Sequence, residues 1–133
     1  CGSAFELTAA DPVAESLGTG LSAAVFQAAT DAALGGVELT DIFCDLNGER
    51  AKTEDWGFTV LRHPICEDPS RFVAPADLWG DLGAATGPTL VALTCAAWMR
   101  AWAHGPVSLC FASSDAGLRS AVVLEAPSKR ARG

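Results

Sequence analysis

The sequence predicts an α/β domain with a mixed sheet and a central buried helix. Three observations predict it. Short apolar runs alternate with longer helix-forming stretches, the pattern of strands joined by crossover helices. Half of the 133 residues are hydrophobic and mean hydropathy is +0.26, enough for a sizeable core. The run from Pro88 to Trp102, PTLVALTCAAWMRAW, has only Thr89, Thr94 and Arg100 as polar residues. A helix apolar on every side is buried, and this one is too short to span a bilayer. A chain of this length makes one domain, and one small sheet covers one side of a helix. Either an unusually thick fold or a partner is therefore expected to cover the other side.

The elements follow in order. Cys1 to Leu7 reads as a short strand, and Asp11 to Gly20, with Pro12, Gly18 and Gly20, as a loop. Leu21 to Leu34 reads as a helix with Leu21, Ala24, Val25, Ala28 and Ala32 on one side, capped by Thr19 or Ser22 and ended by Gly35-Gly36. Glu38 to Asp41 reads as a turn and Ile42 to Leu46 as a buried strand of the parallel type. Glu49 to Leu61 is a more polar helix. His63 to Pro75 is irregular, with a strand of a few residues around Phe72-Val73-Ala74. Gly80-Asp81-Leu82-Gly83-Ala84-Ala85-Thr86-Gly87 introduces the apolar helix, and its glycines suit close backbone approach. Pro88 fits the first turn of that helix, and His104-Gly105-Pro106 supplies the stop. Val107 to Ala112 and Ser120 to Glu125 read as strands joined by a hairpin. Residues 1–126 thus form the domain and 127–133 a disordered basic tail.

A formal charge of −7 and a pI near 4.6 exclude nucleic acid and anionic membrane surfaces as main partners. The cysteines Cys1, Cys44, Cys66, Cys95 and Cys110 are odd in number and lack CxxC spacing. Reduced thiols in a cytoplasmic protein are expected, with no metal and no cofactor. No signal peptide or membrane span is read.

The ordered motifs resemble the second half of a thiolase-fold condensing enzyme, the β-ketoacyl synthase (3-oxoacyl-ACP synthase) family. Gly18 through Leu34 and Val37 to Ile42 are similar to the family's Gly-rich helix and following "dID" turn. Asp45-Leu46-Asn47-Gly48-Glu49-Arg50 falls where the family has "AHGTGT", with Asp55 in line with a later acid. Gly80 to Gly87 falls where it has "GHxxGAAG" or "GNxxAAS", and Ser113 to Gly117 with Ala121 to Leu124 is similar to its closing hairpin. The resemblance implies one half of a five-layer αβαβα fold, with Pro88 to Trp102 as a central helix covered by another half.

In that family a Cys nucleophile lies in the first half, and two His, or His and Asn, in the second half stabilise the oxyanion. The resemblance places those two positions on Asn47 and Asp81. Asn47 cannot act as acid or base, and an Asp81 carboxylate repels an oxyanion. The plainer reading makes Asn47 a turn residue, Asp81 a cap, and Asp45, Glu49, Arg50, Glu54 and Asp55 a solvated helix start. His63 reads as exposed, His104 as a partner of a helix dipole, and Cys95 as an inert, enclosed thiol. Cys1, before Gly2, is a candidate processing site, with a cloning boundary the plainer explanation.

The expectation is a bacterial, non-catalytic, thiolase-like binding, scaffold or adaptor module with a degenerate active site. It completes its fold by pairing with an N-terminal thiolase-like half or with itself as a homodimer, through Leu90, Leu93, Ala97, Trp98 and Trp102. The alternative is the second half of an active acyltransferase, taking acyl carrier protein or acyl-CoA, whose Cys lies in a separate first half. A compact α/β domain that folds alone is the third reading.

Overall fold

The computed structural model describes residues 1–5, 17–32 and 38–128. Its elements are β1 (Gly2–Phe5), α1 (Thr19–Asp31), β2 (Asp41–Cys44), α2 (Arg50–Arg62), β3 (Phe72–Val73), α3 (Ala76–Trp79), α4 (Thr86–Met99), β4 (Val107–Ser113) and β5 (Leu118–Glu125). They form one mixed sheet in the order β1-β5-β4-β2-β3. β4, β2 and β3 run parallel; β5 is antiparallel to both β4 and β1. The α/β class is as the sequence predicts. The basic tail from 129, Gly35-Gly36 and residues 11–16 of the expected loop lie outside the described residues.

Alternation along each strand sends side chains to two helical layers. Ile42 and Cys44 of β2, Leu109 and Phe111 of β4 and Ala121 of β5 pack with Leu21, Ala24, Val25, Ala28 of α1 and Trp56 of α2. Phe43 and Cys110 point to the other face and meet Leu90 and Ala97 of α4. Trp56 stacks on Phe111 with ring centroids 4.7 Å apart and donates its Nε1–H to Pro69 O at 3.1 Å. Gly2 is required by space: a Cβ there would lie 2.0 Å from Ala24 O, so β1 and α1 touch backbone to backbone.

Several expectations are corrected. Neither Thr19 nor Ser22 caps α1; its N-cap is Gly18 in the left-handed region, and the Ser22 hydroxyl lies 3.2 Å from Thr59 Oγ1. Gly20 belongs to the helix, not the loop. Asp41 opens β2 instead of closing a turn. Leu78-Trp79 sit in α3, which the glycine-rich reading passed over. Gly80 and Gly83 do not mediate close approach, since a Cβ on either would meet nothing within 4 Å; they supply φ +74 and +56.

The stop of α4 differs as well. It ends at Met99, seven residues before Pro106, in a Schellman motif: Trp102 N–H donates to Ala97 O at 2.8 Å and Ala101 N–H to Trp98 O at 3.2 Å. Ala101 takes the left-handed position, φ +58, where glycine is the usual residue. Trp102 is therefore outside the helix and does not share a helix face with Trp98.

Enclosure of the apolar helix is incomplete in the single chain. Within this chain α4 is covered on one side only. Leu90, Thr94 and Ala97 are buried, while Pro88, Ala92, Cys95 and Met99 are exposed, Met99 to 87%. Cys95 is thus neither enclosed nor shielded. A sheet of five strands about 4.8 Å apart accommodates two helices at their usual separation of about 8–10 Å. The α1/α2 face has two. The other has α4 over β2 and β4, with Val122 and Leu124 of β5 packed at its edge and Ser120, Leu118 and Phe5 left open.

Candidate functional site

The carboxyl ends of β2 and β4 open toward the starts of α2 and α4, the edge where open α/β sheets place ligands. β2 ends at Cys44 and delivers Cys44, Asp45 and Asn47 there. α2 contributes Lys52, and the segment before α4 contributes Trp79 and Asp81. These residues, with Thr86 and Thr89, surround a cavity of about 20 Å³, space for one water molecule. Asp81 also borders a wider cleft of about 490 Å³, against Ser113, Ser114 and Asp115 of the β4–β5 hairpin. The structure therefore brings Asn47 and Asp81 to one cavity, although 34 positions part them in sequence.

Each polar group there has an identifiable local role. Asn47 Nδ2–H donates to Glu49 Oε1 at 2.8 Å, and its Oδ1 accepts the Glu49 N–H at 3.1 Å, an Asx turn. Asp81 Oδ1 accepts the Gly83 N–H at 2.7 Å and turns the exposed glycine loop. It caps that loop; no side chain caps α4.

Asp45 is the most constrained group. Its Oδ2 accepts the Ser113 N–H at 2.8 Å and lies 3.3 Å from Lys52 Nζ, tying β2 to the hairpin and to α2. Its Oδ1 is buried and has no hydrogen-bond partner among the described residues. Burial raises its carboxyl pKa, opposed by the Ser113 N–H and by Lys52. Burial likewise pushes the Cys44 thiol up to about 12, the Leu46 N–H opposing and the Asp45 charge adding to it. Cys44 is a neutral thiol at pH 7 and no nucleophile. Burial also raises Cys110 and Cys66, the latter with help from Asp68 and Glu38.

The supposed solvated helix start is also corrected. Glu49 and Arg50 are exposed, as expected, and Arg50 pairs with Glu54 at 2.6 Å. Asp45 and Asp55 are buried instead. Asp55 accepts from Arg119 Nε at 2.9 Å, a fully enclosed ion pair that fixes α2 to β5. Lys52, Asp55 and Thr59 recur at three- and four-residue spacing, a buried polar stripe visible in the sequence but read as a wet face. Arg119, sitting in an exposed-looking hairpin, carried no such signal.

At the amino ends of the strands, Asp41 gathers His104. Its Oδ1 lies 2.7 Å from His104 Nδ1, and its Oδ2 accepts the backbone N–H of His104 at 3.0 Å and of Gly105 at 3.3 Å. His104 thus belongs to a carboxylate clasp, not to the α4 dipole as the sequence reading had it. His63 is half-exposed and stacks on Phe26 at 4.9 Å.

Of the residues expected to pair with a partner, Leu90 and Ala97 are buried against the chain's own sheet. Leu93 and Trp98 are half-buried, and Trp98 Nε1–H donates to Gly105 O at 3.1 Å. Trp102 remains open at 61%, with Arg100 stacked 5.3 Å from its ring. Beside α4, residues Gly87, Val91, Ser3, Ser120 and Val122 line an apolar groove of about 280 Å³ over β5 and β1. Phe5 and Leu118, opposed in the register of β1 and β5, extend that exposed surface.

Among the described residues no cluster of metal ligands occurs and no helix is long and apolar enough to cross a membrane. Compared with known proteins, the chain matches no family model, no curated protein and no solved structure.

Proposed function

We propose that this chain is a non-catalytic, thiolase-like binding or scaffold module that acts in the cytoplasm. It completes its fold by covering α4 and the open part of the sheet with a second thiolase-like half or with a second copy of itself. One observation carries the reading: the apolar side of α4 and the neighbouring strands β5 and β1 form a continuous uncovered face. Contiguous apolar surface of this kind marks a protein interface.

The chemistry at the carboxyl edge supports the non-catalytic half of the reading. The positions that would bind an oxyanion hold an amide engaged with Glu49 and a carboxylate engaged with Gly83. The nearest thiol, Cys44, stays protonated. Asp81 and Asp115 on the open cleft give it a negative rim that disfavours phosphate-bearing acyl carriers or acyl-CoA.

Two measurements test it together. Light scattering across a concentration series, with a hydrophobic dye, should find either assembly or a dye-binding monomer. A monomer that binds no dye overturns the docking reading. Incubation with candidate partner halves and an acyl thioester should give no turnover. Turnover abolished by Asn47→Ala or Asp81→Ala would establish the alternative, a condensing acyltransferase half.

A further inference from the structure

We infer that the cleft at the carboxyl edge binds an uncharged, polyhydroxylated ligand of hexose size, whose hydroxymethyl arm enters the small cavity at Asp45 and Lys52. The inference does not depend on what covers α4.

The inner end of the cleft carries the argument. Asp45 is 6% exposed and lines the cavity of about 20 Å³, and its Oδ1 is buried with no hydrogen-bond partner among the described residues. A buried acceptor left unpaired bears its whole desolvation penalty. Lys52 is buried in the same lining, with its Nζ 3.3 Å from the other carboxylate oxygen, Asp45 Oδ2. A group seated at this pair has to donate to Asp45 Oδ1 and accept from Lys52 Nζ. A hydroxyl does both. An ammonium only donates and meets the Lys52 charge; a carboxylate only accepts and meets Asp45. The volume admits one water-sized group, so only the tip of a ligand enters.

The outer part continues the same chemistry. Asp81 and Thr86 border both the small cavity and the wider cleft of about 490 Å³, which makes the two one site. Ser113 ties them together, lining the wide cleft while its N–H donates to Asp45 Oδ2 at 2.8 Å. The wide cleft presents the carboxylates of Asp81 and Asp115 and the hydroxyls of Thr86, Ser113, Ser114 and Ser120. No cationic side chain lines it among the described residues. Acceptors mixed with hydroxyls suit a ligand that carries several hydroxyls, and the two carboxylates repel a phosphate. Trp79 borders the small cavity with 53% of its surface open. Its flat ring offers an apolar platform for the C–H face of a sugar, beside the few polar groups that orient it.

Calorimetry and saturation-transfer NMR with D-glucose, D-galactose and D-mannose test the site. At least one hexose should bind; binding by none overturns the proposal and leaves the cavity to water. The pentose that matches the bound hexose but lacks its hydroxymethyl arm should bind about tenfold more weakly, the loss expected when buried partners go unpaired. Equal binding overturns the seating of that arm at Asp45 and Lys52. The phosphate ester of the same hexose should bind more weakly still, and tighter binding overturns the charge argument. Asp45→Asn and Trp79→Ala should each weaken the hexose. Should Asp45→Asn fail to fold by circular dichroism, Trp79→Ala, a change at a half-exposed ring, decides alone: hexose binding that it leaves unchanged overturns the placement.

Discussion

The two faces of this one sheet are finished to different degrees. On one, α1 and α2 lie side by side over Ile42, Cys44, Leu109 and Phe111, and even the polar groups beneath them are paired, Asp55 with Arg119 and Ser22 with Thr59. On the other, α4 meets Phe43 and Cys110 and stops, with Met99 and Trp102 open and Phe5 and Leu118 uncovered. The difference teaches that a chain can hold a complete core and an incomplete surface together. The first face provides stability; the second leaves apolar area in contact with water.

Substitutions should separate the faces. Arg119→Ala leaves the Asp55 charge enclosed without that partner and should cost about 3–5 kcal/mol in urea unfolding. Leu109→Ala, under α1 and α2, should cost about 2–5 kcal/mol. Met99→Ala on the open side should change the stability of the monomer by less than about 0.5 kcal/mol. An equal cost for Leu109→Ala and Met99→Ala would abolish the distinction.

Acidity sharpens it at the carboxyl edge. The folded-state pKa of Asp45 is raised above its ordinary 3.8 by burial. Its stabilising contribution is therefore fully present below that value and is lost as pH rises through the raised one. Asp45→Asn should gain ground on the wild type as pH climbs from 3.8, measured as the difference in unfolding free energy. A difference that does not vary with pH would mean Asp45 titrates as it does unfolded.

The smallest effect belongs to the end of α4. Ala101 holds φ +58, a conformation that disfavours any side chain. Ala101→Gly should stabilise the chain by about 0.5–1 kcal/mol, partly offset by the entropy of glycine. A loss of stability would show that the Ala101 methyl group makes a contact worth more than the strain.

Much of this was legible in the sequence, and what was missed has physical reasons. Apolar runs marked β2, β4 and β5, and the period of Leu21, Ala24, Val25 and Ala28 marked α1, because burial imposes those patterns. The register of Lys52, Asp55 and Thr59 misled, since a polar helix face reads as wet unless its distant partner, Arg119, is known. The end of α4 misled because Ala101 adopts a glycine-like conformation that composition does not announce. At the site, the ordered motifs brought Asn47 and Asp81 to one cavity, but their engagement with Glu49 and Gly83 depends on side-chain geometry. The one-sided cover of α4 was legible as a shortage: an apolar helix with too little chain to surround it.

The rate at which Cys95 reacts with a thiol reagent, followed against protein concentration, tests the central claim most directly. With the exposed Cys1 and half-exposed Cys66 replaced by serine, Cys44 and Cys110 are buried and serve as unreactive internal references, while Cys95 lies open on α4 in the single chain. If that face docks a second copy, Cys95 should react fast in dilute solution and progressively slower as concentration rises. A fast rate independent of concentration, in a chain that sediments as a monomer, would contradict the self-pairing; the same fast rate beside any added partner half would contradict docking at α4 altogether.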